Sequence, residues 1–229
     1  MDSIVTLQTG LLTINTYIVP LCNDAVFVVD PAACSLSNDE YKIIDYIKKN
    51  GKRLVAIFLT HGHFDHITGL GVLKKEWSSA PIAIHEKETD ALAGSKSSQI
   101  PLLQMWGMEE VCSIVKELPK QDITFSEEKT LDNVFQNIQE KEILDALRKW
   151  KIINTPGHSP GSVCLYNADD KILISGDTMF YHSWGRTDLP GGNEDQMMNS
   201  LRMLINTLPD DTVVYPGHEH YGFTLGSNF

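Results

Sequence analysis

The sequence predicts a layered α/β fold, and three observations carry that prediction. "LVAIFL" at 54–59 is an unbroken apolar run, the mark of a strand covered on both faces. The stretch just before it, "SNDEYKIIDYIKKN" at 37–50, has the spacing of an amphipathic helix, so strand and helix alternate. Finally, groups able to bind metal recur just past predicted strand ends: 61–66 after "LVAIFL", His158 after "KIINTP", Asp177 after "KILIS" and His218 after "TVVY". Open α/β sheets gather their sites at such carboxyl ends.

Taken in order, residues 3–29 read as two or three strands, because "TYIV" and "AVFVVD" are β-branched and aromatic, with the polar "PLCND" between them. The strand pattern stops at Pro31. In the 37–50 helix, Ser37 and Glu40 form an S-x-x-E capping box, Ile43, Ile44 and Ile47 keep helical spacing, and Gly51 follows as the stop. "PIAIH" (81–85) predicts a strand and "EKETDALAG" a short helix. In "DNVFQNIQEKEILDALRKW" (132–150), Val134, Ile138, Leu144 and Leu147 fall at roughly helical spacing, which predicts one helix. Strands follow at 151–156, 162–167 and 171–175, then a helix at 193–208 with an Asn cap and acids in its first turn, then a last strand at 212–218. All of 1–229 is expected to form one domain, with a candidate insertion or lid within 95–150 that could line or cover a pocket.

Composition narrows the function. Nineteen basic residues against thirty acidic ones give a formal charge of −11. An acidic surface repels phosphate backbones and anionic lipid, so neither a nucleic-acid nor a membrane partner is expected. No apolar run reaches the ~18 residues of a membrane span. The start, "MDSIVTLQTGLLTINTYIVP", lacks a basic n-region and a small-residue cleavage site, so it reads as strand and the protein as cytoplasmic. Cys22, Cys34, Cys112 and Cys164 have no C-x-x-C spacing, which suits free thiols in a reducing compartment. There is no G-x-S-x-G elbow to supply a serine nucleophile.

The chemistry concentrates in "LTHGHFDHITG" (59–69), which holds three of the chain's eight histidines. Imidazole and carboxylate are common ligands of zinc and similar ions. His61 and His63, two apart in a loop, can both face one ion, while Asp65 and His66 can turn to a second. His158, Asp177 and His218 could supply what both sites still need. The bland alternative is an exposed histidine-rich loop with no ion. Gathering so many polar groups at strand ends is costly without a shared purpose.

"THGHFDH" resembles the H-x-H-x-D-H signature of the metallo-β-lactamase fold superfamily, and "TPGHSPGS", "SGDTMF" and "YPGHEH" resemble its later ligand segments, in order. That resemblance implies an αββα sandwich of two mixed sheets flanked by helices, with metals at one sheet edge. It also implies a first metal on His61, His63 and His158, a second on Asp65, His66 and His218, and Asp177 bridging them. Two divalent ions are expected, zinc first, with iron or manganese as alternatives. Asp177 in place of cysteine, with "GRTDLPGG" at 185–192, resembles the short single-domain glyoxalase II-like (hydroxyacylglutathione hydrolase-like) hydrolases. The activity this implies is attack by a bridging hydroxide on a thioester carbonyl, such as that of S-lactoylglutathione, with Asp65 orienting the water. Persulfide dioxygenases, with one iron, resemble the chain in the same motifs. A lactone or other ester hydrolase and a non-catalytic metal scaffold are further readings.

Substrate contacts are expected from Tyr181, His182 and Arg186, though Arg186 could instead brace its loop by pairing with Asp188. His85 and His220 read as structural. The sequence ends 11 residues after His218, so the helical C-terminal domain with which larger glyoxalase II enzymes hold glutathione has no counterpart in it. The expected partner is a small-molecule thioester; oligomeric state is not legible.

Overall fold

A computed structural model describes residues 3–126 and 129–228. Six strands form the first sheet in chain order: β1 (Val5–Thr9), β2 (Ile14–Pro20), β3 (Ala25–Val29), β4 (Arg53–Phe58), β5 (Ile82–His85) and β6 (Ile123–Phe125). β1 to β3 pair antiparallel and β3 to β6 parallel. The helices are α1 (Lys42–Lys49), α2 (Phe64–Ile67), α3 (Leu70–Glu76), α4 (Gln99–Met105), α5 (Glu109–Lys116), α6 (Leu131–Val134), α7 (Lys141–Leu147) and α8 (Glu194–Thr207). The second sheet contains β7 (Trp150–Asn154), β8 (Val163–Asn167), β9 (Ile172–Gly176), β12 (Val213–Pro216) and β13 (Phe223–Thr224), ordered β13-β12-β9-β8-β7. Its β9–β12 pair is parallel and its other pairs antiparallel. β10 (Met179–Phe180) and β11 (Ser183–Trp184) form a small hairpin beside it.

Strand periodicity explains the layering, since successive side chains leave opposite faces. In β3, Val26 and Val28 face a core shared with Ile43 and Ile47 of α1 and Leu70 of α3, while Phe27 and Val29 face a second core. That second core lies between the sheets and receives Ile152, Leu165 and Ile174 from β7, β8 and β9. Their neighbours Cys164 and Leu173 point outward onto Met197, Leu201 and Leu204 of α8. The result is the predicted helix–sheet–sheet–helix order. Asn193 caps α8 as expected, its side chain accepting from the Gln196 amide at 2.9 Å.

Three expectations change. Ser37 is not a helix cap: α1 begins at Lys42, and the Ser37 hydroxyl donates to the Cys34 carbonyl at 3.0 Å within a short turn. Asp39 takes over this region, accepting from the Gly10 and Cys34 amides and tying the loop to the β1–β2 turn. The single helix predicted over 132–150 is two short ones. Buried Phe135 ends α6, and Trp150 belongs to β7, edge-on to Phe27 at 5.7 Å between the sheets. The 95–150 region also divides in its roles: α6 and α7 pack into the inter-sheet core, whereas 98–108 lines a cavity. Among the described residues no helix is long and apolar enough to cross a membrane.

Candidate metal centre

Four strand ends deliver the predicted residues to one place. β4 hands the chain to Thr60–His63 and then to α2, which carries Asp65 and His66. The loop after β7 brings His158, the end of β9 brings Asp177, and the end of β12 brings His218. Two groups of side chains then converge, His61/His63/His158 and Asp65/His66/His218, each with ligand-capable atoms within 4.8 Å of one another. His63 Nδ1 and His158 Nε2 approach to 2.7 Å. Asp177 lies between the groups: Oδ2 is 3.5 Å from His158 Nε2 and 3.4 Å from His218 Nε2, and Oδ1 is 3.3 Å from His66 Nε2. Asp65 Oδ2 is 3.4 Å from His218 Nε2.

Hydrogen bonding fixes which nitrogens face inward. His158 Nδ1 donates to the Arg186 carbonyl at 2.7 Å, leaving Nε2 with its lone pair. His66 Nδ1 donates to Asp30 Oδ2 at 3.0 Å. The Thr60 hydroxyl gives its proton to the same Asp30 oxygen at 2.6 Å, so towards His61 Nδ1, 3.0 Å away, it can only accept. His61 and His66 therefore both present Nε2 inward. Those two Nε2 atoms and Asp177 Oδ1 are buried with no hydrogen-bond partner. His66 Nε2 and Asp177 Oδ1 stand 3.3 Å apart without hydrogen-bond alignment, and an unmet buried polar atom costs about 1–3 kcal/mol, so the cluster fits a divalent cation as the missing partner. Carboxylate–histidine–metal chains of this kind set imidazole orientation in metal sites. Asp30 itself also neighbours His61 and His66, but its oxygens are already taken by the Thr60 amide, the Thr60 hydroxyl and His66.

Electrostatics divide the two groups. Burial pushes His61 well below the usual imidazole range, with His66 adding to the effect. Burial, then the neighbouring His158, brings His63 down to about 4. These are neutral imidazoles, the form that binds metal. In the other group burial is outweighed: the Asp177 and Asp65 charges raise His66 well above its usual range, and hydrogen bonds that His218 donates to Asp177 and Asp65 raise it to about 9. Asp177 is held well below the usual carboxylate range, against its burial, by His66 and His218. This half of the centre calls for positive charge.

The sequence reading missed the braces. Asp30 was read only as a strand end, yet it has φ +50° and organises two candidate ligands. The informative signal was a carboxylate directly after a continuous apolar strand, the same context as Asp177. Glu88, buried on the cavity wall, accepts from the Gly62 amide (2.9 Å), the Ser159 hydroxyl (2.8 Å) and the Gly161 amide (2.7 Å), joining the loops of His63 and His158. Gln99 accepts from the Phe64 amide at 2.7 Å and donates to the Gly62 carbonyl at 2.9 Å. Gly185 passes so close to Asp177 that a Cβ there would stand 1.9 Å from the Asp177 carbonyl oxygen.

The three expected substrate contacts are distributed differently. Arg186 lines the cavity, but its guanidinium forms a two-pronged pair with Asp188, both contacts 2.7 Å, and its carbonyl serves His158. His182, at φ +53°, hydrogen-bonds Asn228 through its amide and Nδ1, and Tyr181 packs on His182, His220 and Phe223. Neither Tyr181 nor His182 lines the cavity. His85 is buried, with its ring edge-on to Phe125 and Nδ1 accepting from the Lys87 amide.

The model of the metallo-beta-lactamase superfamily matches residues 9–218. The probable metallo-hydrolase YqgX of Bacillus subtilis (strain 168) is 32% identical over 212 residues, 93% of this chain and 88% of its own. The hydroxyacylglutathione hydrolase GloC of Haemophilus influenzae is 27% identical over 85% of this chain and 80% of its own. Among solved structures, the BLEG-1 B3 metallo-beta-lactamase superposes with TM-score 0.78 at 27% identity, covering 98% of this chain and 95% of its own. TTHA1623 in a di-iron-bound form gives 0.72 at 27% identity, covering 98% and 96%. The match runs from the end of the first strand to the last of the converging histidines, and this chain belongs to the metallo-β-lactamase superfamily as a metallo-hydrolase.

Proposed function

We propose that the centre holds two divalent ions and that the protein hydrolyses a thioester. His61, His63 and His158 would hold one ion, Asp65, His66 and His218 the other, with Asp177 shared; zinc is the first candidate, iron or manganese the alternatives. The observation that carries this reading is the position of Asp177, whose oxygens lie 3.3–3.5 Å from histidines of both groups. Divalent ions held by these residues would supply water activation near neutral pH and polarisation of a carbonyl oxygen. Asp65, on the cavity wall beside His218, would accept a hydrogen bond from the attacking water and orient it. Phe64 and Phe180 line the same cavity and limit competing water around the reacting carbonyl. A thiolate leaving group, with a conjugate-acid pKa near ~8.5, needs little protonation, so no strong acid has to stand beside it.

The relative named as a hydroxyacylglutathione hydrolase and the neighbour solved with two irons both support this reading. The test is thiol release from a thioester panel that includes S-lactoylglutathione, run beside an oxygen electrode with glutathione persulfide. Thiol release without oxygen uptake is expected. Oxygen consumption by a protein that releases no thiol from any thioester would replace hydrolysis with a dioxygenase.

A further inference from the structure

The cavity beside the metal centre measures about 970 Å³, at the upper end of the ~300–1,000 Å³ usual for small-molecule sites. Leu102, Leu103 and Trp106 come to it from α4 and the turn after it, Leu12 from the β1–β2 turn, and Phe180 and Trp184 from the β10–β11 hairpin. Leu12 is 50% exposed, Trp106 42% and Trp184 43%. Apolar side chains left this open and gathered around one cleft mark a binding surface. The surface continues to the chemistry, since the Phe180 ring stands edge-on to His218 at 6.0 Å.

Charge on the wall points the same way. Asp65 and Asp177 belong to the metal centre, and Glu88 is spent on Gly62, Ser159 and Gly161. Asp90 and Glu219 remain, against Lys87 and Arg186, and the Arg186 fork is closed by Asp188. A glutathione thioester carries two carboxylates away from its reacting carbonyl. Of the lysine and arginine on this wall only Lys87 is left to meet them, beside much uncovered apolar surface.

We infer that the substrate is an uncharged thioester with an aliphatic or aromatic acyl group, seated against Leu102, Trp106 and Trp184 with its carbonyl at the metal centre; this rests on the thioester reading above. The acyl chain replaces water on the two indoles, and the bond broken is the thioester C–S bond. Water supplies the carboxylate oxygen, and the thiol leaves.

The test uses metal-loaded protein and neutral N-acetylcysteamine thioesters with acetyl, butanoyl, hexanoyl and octanoyl groups, with S-lactoylglutathione alongside. Burial of a methylene corresponds to roughly a threefold to fourfold gain. Partial burial along the chain therefore predicts a kcat/KM at least about tenfold higher for hexanoyl than for acetyl. S-Lactoylglutathione is expected to do no better than the acetyl thioester. Trp106→Ala and Trp184→Ala should each shrink the hexanoyl-to-acetyl ratio severalfold at unchanged metal content. A flat chain-length profile with S-lactoylglutathione preferred would overturn the inference and leave thioester hydrolysis standing. Should no thioester be cleaved at full metal content, the function proposal and this inference fall together; binding tests the inference separately, since S-hexyl-N-acetylcysteamine must quench tryptophan fluorescence at lower concentration than the S-ethyl analogue. Equal quenching curves would overturn it.

Discussion

The two sides of the cleft are built on opposite plans. On the side of the converging histidines nearly every polar atom facing away from the centre is committed. Asp30, Thr60, Glu88, Gln99 and the Arg186 carbonyl each hold a candidate ligand or its loop, at distances of 2.6–3.0 Å. On the other side, Leu12, Trp106 and Trp184 stand open to solvent with few polar anchors. The converging side chains are therefore fixed in advance by hydrogen bonding, whereas the opposite wall is left apolar and exposed. Substitutions on the first side should therefore act through metal and turnover. Those on the second should act through substrate choice.

The largest effect is expected at Asp177. Asp177→Ala removes the one group shared by both halves, so turnover should fall by ~10³-fold and metal content from two ions per chain towards one, measured by elemental analysis. Full activity with two ions retained would break the comparison at its centre. Gly185→Ala comes next, because its Cβ would meet the Asp177 carbonyl oxygen at 1.9 Å. Overpacking of this kind costs about 1–3 kcal/mol or more, and a thermal melt should show a lowered Tm with Asp177 displaced and metal content reduced. Asp30→Asn should weaken metal binding by about 10–100-fold, since it disturbs the carboxylate that orients His66 and, through Thr60, His61. A chelator competition curve reads this directly, and an unchanged curve would mean that the brace is idle. Arg186→Ala should do least. Its exposed pair with Asp188 is screened by solvent and contributes little, and the carbonyl that holds His158 survives the substitution. Loss of metal in that variant would show that the pair, and not only the backbone, positions His158.

The candidate ligands were legible because they sit one to eight residues past a strand end, in short segments that carry their own pattern. Their braces were not, because the contacts are long-range. Glu88 meets Gly62 across 26 residues and Gln99 meets it across 37, and neither belongs to a motif. Asp30 lay in plain view at the end of "FVVD", but a lone carboxylate after a strand does not reveal that it turns back onto His66. The layered α/β class followed from the strand and helix patterns and the helix–sheet–sheet–helix order from the family resemblance, and both survived. Residues 132–150 do not form the one helix predicted because tertiary packing of Phe135 and Trp150 overrides a helical spacing that was only approximate. α4 and α5 are each eight residues or fewer, too short for periodicity to announce them.

The central claim is a centre of two ions joined by Asp177. Its most direct test is to strip the protein of metal, add zinc in measured equivalents, and follow both binding and thioester turnover. Saturation is expected at two ions per chain, with most of the activity appearing as the second ion binds. Saturation and full activity at one ion per chain would contradict it.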